Sequence, residues 1–112
     1  MLLPNSERAF IDSRKLADYS LDPDHPVGGH KALLFEHVLG ITATDAPELQ
    51  TILLHVAFHA EAAIGRLDEF GQRYTIDFWL STASRAATIR SGWIVRQTED
   101  FPRLTTCYVL RD

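Results

Sequence analysis

Cysteine is nearly absent from this chain, which has one, Cys107, among its 112 residues. A single cysteine excludes an intramolecular disulfide and is typical of proteins that fold in a reducing compartment. No apolar run approaches the roughly 20 residues that cross a bilayer as a helix, and the N-terminal segment turns polar too soon for a secretory signal. We therefore expect a cytoplasmic protein without a membrane span.

An excess of basic residues is also missing. The chain has 11 Lys and Arg against 15 Asp and Glu, for a formal net charge of −4 with neutral histidines. This balance argues against indiscriminate nucleic-acid binding but is compatible with a local basic site. The arginines concentrate in the C-terminal part of the chain and the acids in and just after the middle, so we expect an acidic helical side and a more basic strand side.

Helical patterns come first along the chain. The spacing predicts a short extended segment at Ala9–Ile11, followed by a first helix over residues 13–21. A second helix is predicted over residues 29–39, and a third begins near residue 45. An apolar face that should pack on a sheet runs along the third helix: Leu49, Ile52, Leu53, Val56, Ala60 and Ala63. Leu54 and Phe58 lie off this face, where the first two helices cover them or they form an association patch.

Beyond Gly65 the apolar residues recur at every second position, which predicts an antiparallel meander with strands near 73–80, 87–96 and 104–110. Keeping the apolar faces together places Phe78 opposite Ala87 and Thr75 beside Arg90. The second hairpin then pairs Val95 with Leu104, Trp93 with Thr106 and Ser91 with Tyr108. The polar face of the sheet consists of Arg73, Thr75, Asp77, Thr88, Arg90, Thr105 and Cys107.

Residues 1–112 therefore form a single α+β domain. Its N-terminal helices pack on one face of a three- to four-stranded antiparallel β-meander. Trp93 belongs to the core in this arrangement. Trp79 lies on the opposite face, as a rim or stacking residue.

The loop from Asp22 to Lys31 carries the densest potential chemistry. Its prolines and glycines prevent regular structure, and a helix begins directly after it. His25, His30 and Lys31 are thus delivered at or near a helix N-terminus, where backbone N–H groups favour anions. Histidine titrates near neutral pH, so these residues could move protons around a phosphate or bind one.

The loop and the polar sheet face together suggest metal-independent RNA cleavage. That reaction needs a base for the 2′-hydroxyl, an acid for the leaving oxygen and fixed positive charge for the transition state. His30 or His25 could supply the acid or base, and Lys31 and Arg90, supported by Arg73, could hold phosphate. The candidate hydroxyl donors are Thr88, Thr105 and Tyr108.

Simpler interpretations stay open beside this hypothesis. His30 can cap its helix, Lys31 can be solvated, and the arginines can pair with Asp77 or Glu99. His55 and His59 have the i, i+4 spacing that can share a divalent ion, but no third ligand stands at a characteristic offset, and packing at the edge of the apolar face explains them better. Cys107 lies within a strand and is better explained as buried filler than as a nucleophile. We expect no metal and no cofactor.

Several segments spread over the chain together resemble a small bacterial domain family of unknown function. The longest of them reads His25-Pro26-Val27-Gly28-Gly29-His30-Lys31-Ala32, and the others lie at 3–5, 15–19, 35, 39–40, 74–78, 88–95 and 102–109. The resemblance runs from about Leu3 to Leu110 and implies no established activity.

A looser resemblance is to toxin-type ribonucleases of the barnase, EndoU and colicin class, whose helices precede an antiparallel sheet with Arg, Ser, Thr or Tyr on its strands. It implies the positions His30, Lys31, Arg90, Ser91, Thr105 and Tyr108 as catalytic candidates. The loop and the polar sheet face themselves add His25, Arg73 and Thr88 as substrate-binding candidates. Two hypotheses follow. One is an RNA-cleaving or RNA-binding domain of bacterial toxin type. The other is a non-catalytic module, phage- or defence-associated, that binds a protein partner or a second copy through Leu54 and Phe58.

Overall fold

A computed structural model describes residues 1–83 and 85–110 of the chain, with helices in the N-terminal half and strands after them. Helix α1 (Ser13–Lys15) continues as a π-helical turn (Leu16–Ser20), and helix α2 (Gly29–Leu34) continues likewise (Phe35–Leu39). Helix α3 is Ala46–His59, preceded by a 3₁₀ turn at Ala43–Asp45, and another 3₁₀ turn covers Ser6–Arg8. The strands are β1 (Ala63–Asp68), β2 (Gly71–Ser81), β3 (Ala86–Arg96) and β4 (Arg103–Val109). The α+β prediction is confirmed.

Local capping explains where the helices begin and end. The Asp12 side chain accepts a hydrogen bond from the Arg14 backbone N–H at 3.0 Å, which starts α1. The α2 segment ends at Gly40, whose φ of 71° is a left-handed conformation that suits glycine. Thr42 and Asp45 form a reciprocal capping box ahead of α3. The three predicted helices are therefore present, the first two close to their predicted bounds and the third with its predicted start but an earlier end.

The sheet is an antiparallel meander in the order β1-β2-β3-β4. The predicted register of the β2–β3 hairpin is wrong by two residues, since Phe78 pairs with Ile89 and Arg90 lies opposite Asp77 rather than Thr75. The reason is the turn, which is closed by a hydrogen bond of 2.8 Å from the Thr82 N–H to the carbonyl of Arg85, one residue later than expected. A shift of two keeps every side chain on its predicted face.

The β3–β4 pairing contains an irregularity that the sequence pattern did not reveal. Trp93 pairs with Leu104 and Gly92 with Thr106, so Thr105 is an extra residue at a β-bulge. The pairs predicted for this hairpin are therefore wrong. Beyond the bulge the alternation reverses, so that Cys107 points into the core and Tyr108 joins the polar face beside Arg90.

The sheet has a strand that the sequence pattern did not predict, β1, and its first residue, Ala63, was expected on the apolar face of the third helix. Helix α3 ends at His59 because Ala60 adopts an extended conformation, and Ala63 then pairs with Thr75 of β2. The short extended segment predicted before α1 is present as a parallel bridge between Phe10 and Arg103.

The core lies between the helices and one face of the sheet. Its largest fully buried side chains include Leu16, Phe35, Leu49, Leu53, Ile76, Ile89, Trp93 and Leu104. Ala57 on α3 is also fully buried, whereas Ile52 and Val56 of the predicted face are half-buried. Within the described ranges, every helix is too short or too polar to cross a membrane. The opposite face of the sheet, which we call the outer face, carries the candidate site.

Candidate functional site

Three side chains form a row across the outer face, and a fourth reaches it from helix α2. Asp77 on β2, Arg90 on β3 and Tyr108 on β4 are direct cross-strand neighbours. Helix α2 packs beside β4, and the Nζ of Lys31 lies 4.3 Å from the centre of the Tyr108 ring. This distance is that of a cation–π contact. We call these four residues the Arg90 row.

Arg90 is oriented by an acidic neighbour. Its Nε and Nη2 donate to the two carboxylate oxygens of Asp77, both at 2.8 Å. These hydrogen bonds lower the pKa of the Asp77 carboxyl. The pKa of the Arg90 guanidinium is raised, chiefly by Asp77 and to a smaller extent by Tyr108. A guanidinium has five N–H donors, so the two-point contact fixes its plane and leaves further donors for another acceptor such as phosphate.

An open cleft of about 490 Å³ lies at the β1 end of the row. It is bounded by the connection from α3 to β1 and by the outer face, and it is lined by Glu61, Ala62, Ala63, Thr75, Asp77 and Arg90. The Glu61 carboxylate pairs with the N-terminal amine of Met1. Arg90 is the one Lys or Arg among these lining residues and is paired with Asp77, and Glu61 is paired with the Met1 amine, so each charged group of the cleft has a partner of opposite charge.

His30 and Lys31 follow each other at the start of α2. His30 is exposed, and α2 has no side-chain cap, so the alternative in which His30 caps its helix is wrong. Lys31 is half-buried and its ammonium contacts one side of the Tyr108 ring, which is compatible with solvation of the rest of the group. The pairing of arginines with acids is confirmed, since Arg90 binds Asp77 and Arg103 binds Glu99.

His25 is engaged by its own loop. Its Nδ1 accepts hydrogen bonds from the backbone N–H groups of Val27, at 3.0 Å, and Gly28, at 3.1 Å. The ring also contacts Tyr19, with 4.6 Å between ring centres. His25 thus shapes the turn that leads into α2.

Ser91 lies on the core face, away from the Arg90 row. It is fully buried, its Oγ donates to the Ile76 carbonyl at 2.9 Å, and it accepts from Trp93 Nε1 at 3.0 Å. The structure does not bring Ser91 together with His30 or Lys31. Its hydroxyl satisfies the buried indole N–H and ties two neighbouring strands together.

The remaining predicted site residues surround the row on the outer face. Thr88 precedes Arg90 by two positions on β3 and is half-buried, and Thr105 is half-buried at the bulge. Arg73 lies farther along β2 and donates from Nε to Asp68 at 2.7 Å. This contact, with smaller contributions from the Phe70 backbone and Arg66, lowers the pKa of Asp68 well below its ordinary value.

Two other candidate centres, the His55–His59 pair and Cys107, lack the features of a metal site and of a reactive nucleophile, respectively. The rings of His55 and His59 lie 4.4 Å apart between centres, and no cluster of three or more metal-ligating side chains occurs in residues 1–83 and 85–110. Cys107 is buried, and its burial raises the pKa of the thiol to about 12. Such a thiol is not ionised at neutral pH and is a poor nucleophile.

The proposed association patch on α3 is only partly open. Leu54 is half-buried, whereas Phe58 is 44% exposed and stacks on His59, with 4.9 Å between ring centres. The role of this patch stays a prediction.

Sequence reasoning placed Asp77 on the polar face and named it as a partner for the arginines, but did not include it among the site residues. Its direct pairing with Arg90 depends on the strand register, which the sequence pattern did not predict correctly.

Comparison with known proteins establishes the family but not an activity. A family described as a domain of unknown function, DUF6883, matches residues 2–111, and the chain belongs to it. The prediction that the chain belongs to a domain family of unknown function is thereby confirmed. No curated protein matches the chain.

A solved structure with a similar fold has been found. It is a contact-dependent growth inhibition toxin–immunity protein complex from Klebsiella pneumoniae 342, similar with a TM-score of 0.60 and 13% identity over 96% of this chain and 97% of that chain. At this identity the similarity establishes a common fold.

Proposed function

We propose that the Arg90 row and His30 form the site of a metal-independent ribonuclease of bacterial toxin type. The observation that carries this proposal is that Arg90 and Tyr108 are neighbours on the outer face of the sheet and that Lys31, from the adjacent helix α2, contacts Tyr108, with the exposed His30 next to Lys31 in sequence. The common fold with a chain of a toxin–immunity protein complex is expected for either member of such a system and does not by itself favour the toxin.

The proposed reaction is transfer of a phosphodiester within the RNA. His30 takes the proton from a 2′-hydroxyl, whose oxygen forms a bond to the adjacent phosphorus. The bond from phosphorus to the 5′-oxygen breaks, and Tyr108 donates a proton to that leaving oxygen. The products are a 2′,3′-cyclic phosphate and a 5′-hydroxyl end.

Charge stabilisation comes from the two cations of the row. Arg90, held in plane by Asp77, and Lys31 face the phosphoryl oxygens as negative charge develops on them. Thr88 and Thr105 donate hydrogen bonds beside them, while Arg73 and the His25 loop contact flanking phosphates. In this proposal Ser91 has a structural role on the core face of the sheet, where its hydroxyl holds β3 against β2.

The test is an RNA cleavage assay on purified protein with EDTA present. His30→Ala and Arg90→Ala should each lower the rate at least about 100-fold, because each removes a proton-transfer or charge-stabilising group. His37→Ala is the matched control for the first variant, since His37 is another exposed histidine of the α2 segment. Arg14→Ala is the control for the second, since Arg14 binds Asp12 at two points as Arg90 binds Asp77.

Both control variants should cleave within about twofold of the parent, and thermal unfolding should verify that all four variants are folded. Equal cleavage by the parent and the two site variants would refute the proposal. So would the absence of cleavage of any RNA by the folded parent.

A protein-binding function is the second candidate. The similar structure belongs to a toxin–immunity protein complex, and β1 is an edge strand whose Ile64 and Leu67 are 63% and 74% exposed. A strand of a partner protein could pair with the open edge of β1 and cover these side chains. Arg66→Pro on β1 should abolish binding of such a partner while leaving RNA cleavage unchanged, which separates the two functions.

A further inference from the structure

Trp79 is a large and exposed apolar side chain of the outer face, next to the Arg90 row. It is 68% exposed, it lies two residues beyond Asp77 on β2, and it pairs across the sheet with Thr88. Its sequence neighbours Phe78 and Leu80 point towards the core and are half-buried. An indole left this open beside a cluster of polar groups is a suitable surface for a planar ligand.

We infer that Trp79 is a stacking platform for an unpaired base of the RNA, and that the protein therefore selects single-stranded RNA. The inference rests on the proposed function, because the base is positioned by its own phosphate at Arg90. Every nucleobase has a π-face, so stacking on an aromatic side chain tolerates any sequence but requires a base that is not covered by its neighbours in a duplex.

The register of β2 and β3 determines the distances from Trp79 to Asp77 and Arg90. Two residues along a strand span about 6.8 Å, which separates Trp79 from Asp77. Trp79 and Arg90 are diagonal neighbours on β2 and β3, for which the separation is about 7–8 Å. A nucleotide can therefore place its base on the indole while its phosphate reaches the guanidinium. Thr88, between them on β3, offers a hydroxyl to the sugar or the phosphate.

The two tryptophans make this inference measurable. Trp93 is buried and its Nε1 is hydrogen-bonded to Ser91, so a bound base cannot touch it. Trp79 is open, so stacking of a base on its ring should quench its fluorescence. The difference between a protein with Trp79 and a Trp79→Leu variant isolates the signal of the outer face.

The experiment titrates the His30→Ala protein, which should bind RNA without turning it over, with a mixed-sequence single-stranded RNA of about ten nucleotides and with its duplex. Saturable quenching is expected with the single strand, and at least tenfold weaker binding with the duplex. Adding Trp79→Leu should remove the quenching and weaken single-strand binding by roughly 5- to 150-fold, as for loss of one stacked base. Trp79→Tyr should retain most of the affinity.

Phe70→Leu is the matched control, because Phe70 is a similarly open aromatic residue, 62% exposed, in the β1–β2 turn. Its affinity should equal that of the parent. Unchanged affinity in the Trp79→Leu variant, or equal quenching by single strand and duplex, would overturn the inference.

The two proposals can fail separately. If the protein with His30 cleaves RNA and Trp79→Leu neither slows cleavage nor weakens binding, the stacking inference fails and the ribonuclease proposal survives. If single-stranded RNA quenches Trp79 but is never cleaved, the ribonuclease proposal fails and the stacking inference survives. If no RNA binds, both are refuted.

Discussion

The buried hydroxyl of Ser91 gives the most direct test of the structure. In a Ser91→Ala variant the Ile76 carbonyl loses one hydrogen bond, which costs about 0.5–1.5 kcal/mol net, and the Trp93 indole N–H remains buried without an acceptor, which costs about 1–3 kcal/mol. We therefore expect the free energy of unfolding to fall by roughly 2–3 kcal/mol. For a domain of this size the melting temperature should fall by roughly 8–15 °C.

The assay is urea unfolding followed by tryptophan fluorescence, with the slope of the free energy against urea unchanged between variants. Ser81→Ala is the control, because Ser81 is exposed at the end of β2; its effect should stay within about 0.5 kcal/mol. A double-mutant cycle with Trp93→Phe then isolates the hydrogen bond. Ser91→Ala should cost at least about 1 kcal/mol less when the indole N–H is already absent.

Two results would refute this reasoning. One is a Ser91→Ala protein as stable as the parent. The other is an equal cost of Ser91→Ala with Trp93 and with Phe at that position, since the indole N–H would then not depend on the serine. If the proposed ribonuclease activity is measured below the unfolding transition, Ser91→Ala should retain it, because this hydroxyl faces the core rather than the Arg90 row.

Three further predictions concern other parts of the fold. A Cβ at Gly29 would lie 2.5 Å from the carbonyl oxygen of Pro23, so Gly29→Ala should lower the free energy of unfolding by about 1–3 kcal/mol; a neutral effect in urea unfolding would contradict this close approach. The pKa of Asp77 is lowered mainly by Arg90, so its ionised form stabilises the fold above the unfolded pKa of about 3.9, and this contribution is lost as the pH falls through the lower folded pKa. Asp77→Asn should therefore show a smaller loss of stability than the parent between about pH 4 and pH 2, and parallel acid titrations of the two proteins would exclude the contribution. The pKa of Cys107 is raised to about 12 by burial, so a thiol reagent should modify the native protein at pH 8 only at the rate of unfolding; rapid labelling without urea would contradict that burial.

The helices and the apolar face of the sheet could be predicted because periodicity reports local structure directly. Capping residues and Gly40 marked the ends of α1 and α2, and alternation identified the inward side chains of β2. The pairing of strands depends instead on how a turn closes. The turn closed by the hydrogen bond between Thr82 and Arg85 gives the β2–β3 hairpin a register two residues away from the predicted one. Alternation alone cannot detect such a shift, because a shift of two leaves every side chain on the same face.

The candidate site was predicted in its residue types more than in its geometry. Tyr108 is adjacent to both Arg90 and Lys31, but the sequence pattern predicts its pairing with Ser91 instead, because nothing in the pattern signals an extra residue at Thr105. Ser91 was placed in the site by resemblance, whereas its depth depends on the helices packed behind it. Pairing of Arg90 with Asp77 follows from the register, which short-range patterns leave open.

The ammonium of Lys31 occupies one side of the Tyr108 ring. Incoming molecules consequently meet this tyrosine through its hydroxyl end and its remaining side, so the helical layer governs how much aromatic surface the sheet offers to solvent. A shift of α2 away from β4 would uncover that ring and, in the same movement, withdraw a positive charge. The exposed aromatic surface and the positive charge at this edge of the sheet are therefore coupled. A partner that displaced helix α2 would gain access to the ring of Tyr108 and lose the ammonium of Lys31.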